Sequence, residues 1–132
     1  MSEKISFISF EAWLTSVLPS IPSRGIAAYN FNLAESHDWV VEVIGASSYD
    51  KDGNDWACPP VAWSSSPSEF FIPRYLVPTW EQALAYVSER VNSYLTNGKH
   101  PQAAVLRQAE AVCVGFVDGD LNLVWTNKKD NS

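Results

Sequence analysis

The sequence is poor in cysteine, in basic residues and in long apolar runs. Its 132 residues include two cysteines, Cys58 and Cys113, and neither belongs to a CxxC or Cys/His cluster. Nothing in their spacing requires a disulfide. Cys113 lies in an apolar run and is predicted to be a buried free thiol. Residues 1–13 contain no long apolar stretch, so neither a signal peptide nor a membrane span is expected, and a cytoplasmic location is the default.

Basic residues are too few for most polyanionic partners. Nine Lys and Arg stand against fifteen Asp and Glu, which gives a net charge of −6. Nucleic acids and anionic membranes both require clustered Lys and Arg, so neither is expected as a partner. The acidity is concentrated in residues 35–55, and its natural electrostatic complement is a basic protein.

The composition is that of a folded domain. Hydrophobic residues make up 46% of the chain and charged residues 18%, which is enough apolar surface to build a core. The length fits one domain, predicted here over residues 1–126, with a polar tail at 127–132. No repeat divides it.

Hydrophobic periodicity predicts helices at residues 9–18, 80–97 and 101–108. Ser9 is a candidate N-cap, with Ile8 and Trp13 at the positions of a hydrophobic staple. Thr79 with Gln82 forms a capping-box pattern, and Gly98 is the predicted C-terminal stop of that helix. Alternation predicts a strand at residues 25–33. Residues 38–45 are apolar on both faces except for Glu42, which predicts a second strand, central in the sheet and joined to the first as a hairpin. Short strands are predicted near 61–63 and 69–73. In the first strand, one face carries Tyr29, Phe31 and Leu33, and the other carries Asn30 and Asn32.

A second hairpin is predicted over residues 111–125, around the favoured turn dipeptide Asp118-Gly119. If Val117 pairs with Asp120, six apolar residues share one face of the hairpin. They form the pairs Phe116–Leu121, Val114–Leu123 and Val112–Trp125. The whole chain is therefore predicted to be an α+β domain, an antiparallel β-sheet with two or three helices packed on one face.

The segment SYDKDGNDWACPP, residues 48–60, is the main candidate site. As a calcium loop it matches the helix–loop–helix pattern only at Asp50, Asp52 and Asn54. The glycine lies at position 4, as Gly53, and Val61 stands where the final carboxylate is needed, so no metal or cofactor is predicted. Asp, Asn and Gly also serve ordinary solvated turns. A third interpretation is an interface in which clustered acids flank aromatic anchors. Its predicted partner-binding residues are Asp50, Asp52, Asp55, Trp56 and Trp63.

An enzymatic interpretation has less support. His37-Asp38, with Glu35 or Glu42 as a second acid, is the one candidate for acid–base chemistry, and it lies in a predicted hairpin turn. No Ser or Cys lies in a nucleophile motif, and no glycine-rich phosphate loop occurs. We therefore predict no catalytic residues.

Four stretches carry a resemblance to a known group of proteins: AAYNFNLAES, VVEVIGASSYDKDGNDWAC, TWEQALAYV and VGFVDGDLNLVW, together spanning residues 27–125. They resemble small acidic bacterial proteins among the immunity-like families of polymorphic toxin systems. The resemblance implies a non-enzymatic inhibitor that binds a cognate toxin domain. It assigns no individual residues, because such interfaces differ from pair to pair.

The leading hypothesis is thus a toxin-neutralising binding protein that acts through its acidic, tryptophan-flanked loop. One alternative is a structural or regulatory interaction module that uses exposed apolar surface and can form homo-oligomers. The other is a small metal-dependent enzyme centred on His37 and the acidic loop.

Overall fold

The computed structural model describes residues 9–22, 24–53, 55–58, 60–97, 99–117 and 119–127. Within them the chain forms helices and strands in the predicted places, with 3-10 turns at Leu18–Ser20 and Asp55–Ala57. The helices are α1 (Phe10–Val17), α2 (Trp80–Thr96) and α3 (Ala103–Arg107). The strands are β1 (Ala28–Glu35), β2 (Trp39–Ala46), β3 (Trp63–Ser64), β4 (Phe70–Ile72), β5 (Ala111–Phe116) and β6 (Leu121–Thr126).

The strands form one mixed sheet in the order β3-β2-β1-β5-β6, with β4 also paired to β2. The α+β class is confirmed. The pairing differs from the fully antiparallel expectation at one place, because β1 and β5 run parallel. Strand β4 runs antiparallel to β2. After β4 the chain forms α2 and α3 and then enters the sheet again as β5, which runs in the same direction as β1. A helical crossover of this length permits a parallel neighbour.

The two faces of β1 have different environments, as its alternation predicts. Tyr29, Phe31 and Leu33 point towards the helices and are fully buried or nearly so. The core-facing residues of the two neighbouring strands lie beside them on the same face: Val41 and Val43 of β2, and Val112 and Val114 of β5. All three helices pack on this face, and the single core lies between them and the sheet.

The first helix begins where its cap was predicted. The Ser9 hydroxyl accepts a hydrogen bond from the Ala12 amide at 3.1 Å, which satisfies one of the free N–H groups of the first turn. Phe10 and Trp13 then enter the core, where the Phe10 ring lies 5.9 Å from that of Phe31 and 5.6 Å from that of Phe70. The staple predicted for its N-terminus involved Ile8, which lies outside the described residues.

The long helix α2 is fixed at its start and along its length. The capping box is complete, since Thr79 accepts from the Gln82 amide and the Gln82 side chain accepts from the Thr79 amide. An ion pair from Arg90 to Glu11 (3.1 Å) and a hydrogen bond between Tyr94 and Thr15 (2.9 Å) join α2 to α1. The predicted C-terminal stop at Gly98 lies outside the described residues.

The register of the β5–β6 hairpin differs from the prediction. Val112 pairs with Trp125 as expected, but Cys113 pairs with Leu123 and Gly115 with Leu121, and a bulge absorbs the extra residue. The outer half of β6 is therefore shifted by one residue. This register places Leu121 and Leu123 on the face opposite the helices, and Leu123 is 54% exposed.

Gly115 explains why the shifted register is possible. A Cβ atom at this position would lie 2.6 Å from the Asp120 carbonyl oxygen and 2.8 Å from Leu121 Cδ2. Both distances are far inside van der Waals contact. The missing side chain at Gly115 therefore lets β6 approach closely, and the apolar alternation of the hairpin could not reveal this.

The mutation Gly115→Ala should therefore destabilise the protein, by about 1–3 kcal/mol, because backbone must move to admit the methyl group. Gly119→Ala is the matched control, since its Cβ would meet no atom closer than 3.7 Å. Urea denaturation followed by tryptophan fluorescence measures both. Equal midpoints for the two variants would contradict the close packing of β6 on Gly115.

Candidate functional site

The face of the sheet opposite the helices carries a row of polar side chains. Asn30 and Asn32 extend from β1, and Glu42 lies directly across from Asn32 on β2. The connection from β2 to β3 contributes Ala57 and Cys58 above this row. We call this side of the molecule the loop face. It differs from the helix face because its central residues are polar although they lie in the middle of the sheet.

The three polar side chains form a directed hydrogen-bonded chain. The Asn30 Nδ2 group donates to Asn32 Oδ1, and Asn32 Nδ2 donates to Glu42 Oε2 at 3.1 Å. An ionised carboxylate can only accept, so Glu42 fixes which way each amide is turned. Asn30 must then present its own Oδ1 atom elsewhere. That atom is fully buried and has no hydrogen-bond partner.

A cavity of about 250 Å³ lies beside this chain. Its polar lining consists of the amides and carboxylate just described, and the remainder is mostly apolar. The lining residues are Asn30, Asn32, Glu42, Ala57, Cys58, Phe116, Val117, Gly119 and Leu121. Sequence reasoning did not identify this site. The signal was present, because two asparagines alternate on one face of β1 and Glu42 is the single charged residue inside β2.

The acidic loop has the local structure of a tight polar turn. The Asp50 carbonyl accepts from the Gly53 amide at 3.2 Å, and Asp50 Oδ1 accepts from the Asp52 amide at 2.9 Å. Asp55 begins a 3-10 turn in which its carbonyl accepts from the Cys58 amide at 3.0 Å. The backbone of this loop therefore has the hydrogen bonds of an ordinary solvated turn. The side chains of Asp50, Asp52 and Asp55 are all exposed.

No cation neutralises these aspartates within the described part of the chain. The two ion pairs found there are Arg74–Glu35 and Arg90–Glu11, and both involve other regions. The negative potential is also evident at Tyr49, beside the loop. Burial raises the pKa of the Tyr49 phenol, and nearby Cys113, Glu110, Asp50 and Asp52 raise it further.

The two tryptophans predicted to flank the acids lie on different sides of the sheet. Trp56 belongs to the loop, where its half-buried ring packs edge-on against Tyr49 at 5.2 Å between centroids. Trp63 points to the helix face, where it packs edge-on against Tyr29 and donates from Nε1 to Ser20 Oγ at 3.1 Å. The structure therefore brings Trp56 to the loop aspartates and does not bring Trp63 to them.

The structure also shows the surroundings of the two other candidate sites, a metal site in the acidic loop and a catalytic site at His37. The described residues contain no group of three or more His, Cys, Asp or Glu that could hold a metal ion. Asn54 of the calcium-loop comparison lies outside them. His37 is exposed in the β1–β2 turn. The acids considered as its partners have other contacts, Glu35 with Arg74 and Glu42 with Asn32.

A second surface is apolar and lies at the end of the sheet where β2 begins. Its centre is Phe116, whose ring lies 5.9 Å from that of Trp39 and 6.0 Å from that of Trp80. The Arg74 guanidinium covers the outer face of Trp39 at 4.2 Å. We call the exposed residues around this centre the apolar end; they are Tyr75, Leu76, Trp80 and Val117, each more than half exposed.

No helix among the described residues is long and apolar enough to cross a membrane. Comparisons of the chain with protein-family models, with curated proteins and with solved structures gave no match.

The two cysteines are free and lie in opposite environments. Cys58 is exposed, whereas Cys113 is buried in β5, and burial raises the pKa of its thiol from 9.0 to about 11. At a pH between these two pKa values, the Cys113 thiol is ionised in the unfolded state and protonated in the folded state. The contribution of this thiol to the free energy of unfolding is therefore fully present below pH 9 and is lost as the pH rises towards 11.

We therefore expect the free energy of unfolding to fall by about 1–3 kcal/mol over this window through Cys113 alone. Denaturant titrations of wild type and Cys113→Ala at pH 8, 9.5 and 11 test this, and the variant should show a smaller decrease. Cys58→Ala is the control and should follow wild type. Parallel curves for wild type and Cys113→Ala would contradict the expectation.

Proposed function

We propose that the protein is a non-enzymatic binding protein that engages a basic protein partner through the acidic loop of its loop face. The observation that carries this proposal is the set of three exposed aspartates, Asp50, Asp52 and Asp55, that have no ion-pair partner among the described residues. Like charges held close together repel each other, and a basic surface would offset this repulsion.

The loop also offers an aromatic contact beside the charges. Trp56 is held against Tyr49 but remains partly exposed, so it can add apolar contact area without a large loss of side-chain entropy. An aromatic residue next to a charged rim is typical of protein interfaces. Trp63 has a different part in this proposal, since it anchors β3 against Tyr29 on the helix face.

The most specific form of the proposal is toxin neutralisation. It rests on the resemblance to immunity-like proteins together with the charge of the loop. A toxin domain that acts on nucleic acid presents a basic cleft, and an acidic loop with an aromatic anchor can occupy such a cleft and exclude the substrate. The protein would then inhibit by blockade and would need no catalytic group.

The triple variant Asp50→Asn/Asp52→Asn/Asp55→Asn should weaken the complex, by roughly five- to thirty-fold, since each exposed charge pair contributes little alone. Its affinity should also depend less on salt. The partner is first captured on tagged wild-type protein from native lysate and identified. Calorimetric titration of the purified partner at 50, 150 and 400 mM salt then gives the affinities.

The control for this experiment is Glu81→Gln/Glu89→Gln, which removes two exposed charges from α2 on the helix face. If net charge alone governed binding, this control would show about two-thirds of the effect of the triple variant. We expect it to show almost none. An unchanged affinity and salt slope in the triple variant would remove the acidic loop from the interface.

The apolar end supports a second candidate function, a self-associating interaction module. Tyr75 is 84% exposed and Leu76 66%, and they lie in the chain between Arg74 and Val77, which both contact Trp39. Contiguous exposed apolar surface is a common sign of an interaction site. Light scattering distinguishes the two functions, because self-association here would give a mass above 14.7 kDa that high salt does not reduce. A monomer at all concentrations would exclude it.

A further inference from the structure

We propose that a second cavity, on the helix side of the sheet, binds a small organic monoanion with an apolar body and one carboxylate head. The cavity has a volume of about 470 Å³ and lies between the segment after α1, the residues that lead into β1, and α3. We call it the α1–α3 cavity. The carrying observation is its lining, in which Arg24 is the one charged side chain among the described residues and most of the others are apolar. This inference goes beyond the proposed function, because no residue of the acidic loop lines the cavity.

The apolar part of the lining comes from three elements. Leu18 and Ile21 follow α1, Ile26 leads into β1, and Val105 belongs to α3. A ligand that packs against these side chains removes apolar surface from water on both sides of the contact, which favours binding. The walls therefore require a ligand with an apolar body.

The wall after α1 is held in place by the protein itself. The Ile21 amide donates to the Leu18 carbonyl at 3.0 Å, and Trp63 Nε1 donates to Ser20 Oγ at 3.1 Å. The ring of Pro19 restricts the backbone between them. Because these contacts exist before a ligand enters, little conformational entropy is lost when this wall receives one.

Charge defines the head of the ligand as anionic. Arg24 is exposed, and both ion pairs found among the described residues use other arginines. No Asp or Glu of the described part of the chain lines the cavity, and Glu110 lies outside the lining although it follows Ala109. Tyr29 also lines the cavity, and it stays neutral because burial raises the pKa of its phenol to about 12. The cavity thus presents a cation without a counter-charge, even though the protein as a whole has a net charge of −6.

A single guanidinium selects a singly charged head. Its paired N–H groups match the two oxygens of a carboxylate in a bidentate contact. A phosphate dianion would leave one of its charges without a partner, because the described lining has no second cation. A carboxylate is therefore the head group that Arg24 fits.

The volume sets the size of the apolar body. A dry cavity of about 150 Å³ holds one benzene ring, and small-molecule pockets usually have volumes of about 300–1,000 Å³. The α1–α3 cavity, at about 470 Å³, has room for more than one ring. Octanoate has a carboxylate head and an apolar chain of this size class, so it is the probe used below.

The test titrates the wild-type protein and needs no partner. ¹⁵N NMR titration with octanoate should give saturable shifts of the Gly25, Ile26, Val105 and Ala109 backbone amides. Octanamide, a neutral molecule of the same shape, should bind about tenfold more weakly, since it lacks the charge. In the series butyrate, hexanoate, octanoate, each methylene that the walls bury should strengthen binding about three- to fourfold.

Arg24→Gln is the informative variant, because Arg24 is exposed and its replacement leaves the core unchanged. It should weaken octanoate about tenfold and leave octanamide unchanged. Lys99→Gln is the matched control, since it removes one exposed positive charge outside the lining, and it should bind octanoate as wild type does.

Three results would overturn the inference. The first is the absence of saturable shifts at the four amides, including shifts confined to Leu76 and Val117, which would mark adsorption on the apolar end. The second is equal binding of octanoate and octanamide, and the third is equal octanoate affinity of wild type and Arg24→Gln. The triple aspartate variant should bind octanoate normally, so failure here and failure of the proposed function are separate outcomes.

Discussion

The fold depends on the period-two alternation of one strand, β1. Its odd-numbered positions, Tyr29, Phe31 and Leu33, form the floor of the helix-covered core, and its even-numbered positions set the chemistry of the other face. Because β1 is paired along both edges, a shift of one residue would bury two asparagines under the helices and expose three large apolar side chains. The same constraint that builds the core therefore places Asn30 and Asn32 on the loop face.

Much of the architecture could be predicted because its signals are local. The cap at Ser9, the capping box at Thr79 and the alternation of β1 each involve residues within a few positions of one another. The parallel pairing of β1 with β5 could not be predicted in the same way. It joins residues about eighty positions apart, and its direction depends on how many times the intervening chain crosses the sheet. No single segment encodes that number.

The hairpin register shows a second limit of local reasoning. Apolar alternation favours the register that hides the most apolar side chains, and it treats glycine as a neutral position. Here Gly115 is the position that matters most, because the space left by its absent side chain is filled by Leu121. As a result Leu121 lines the loop-face cavity and Leu123 is exposed. The polar row of Asn30, Asn32 and Glu42 was visible in the sequence, but the cavity beside it could not be predicted, because the residues of β6 that line it are placed by this register.

The proposed interface would combine two kinds of recognition that differ in range. Exposed aspartates act over about a Debye length, roughly 8–10 Å, so they would steer a basic surface towards the loop without selecting among its residues. Selection would come from contact at short range, and the ring of Trp56, which is held against Tyr49 and remains partly exposed, offers such a contact. Since charge and aromatic contact come from different side chains, substitutions can alter either one separately. A binding protein that must reject similar basic partners requires both, because charge alone attracts all of them.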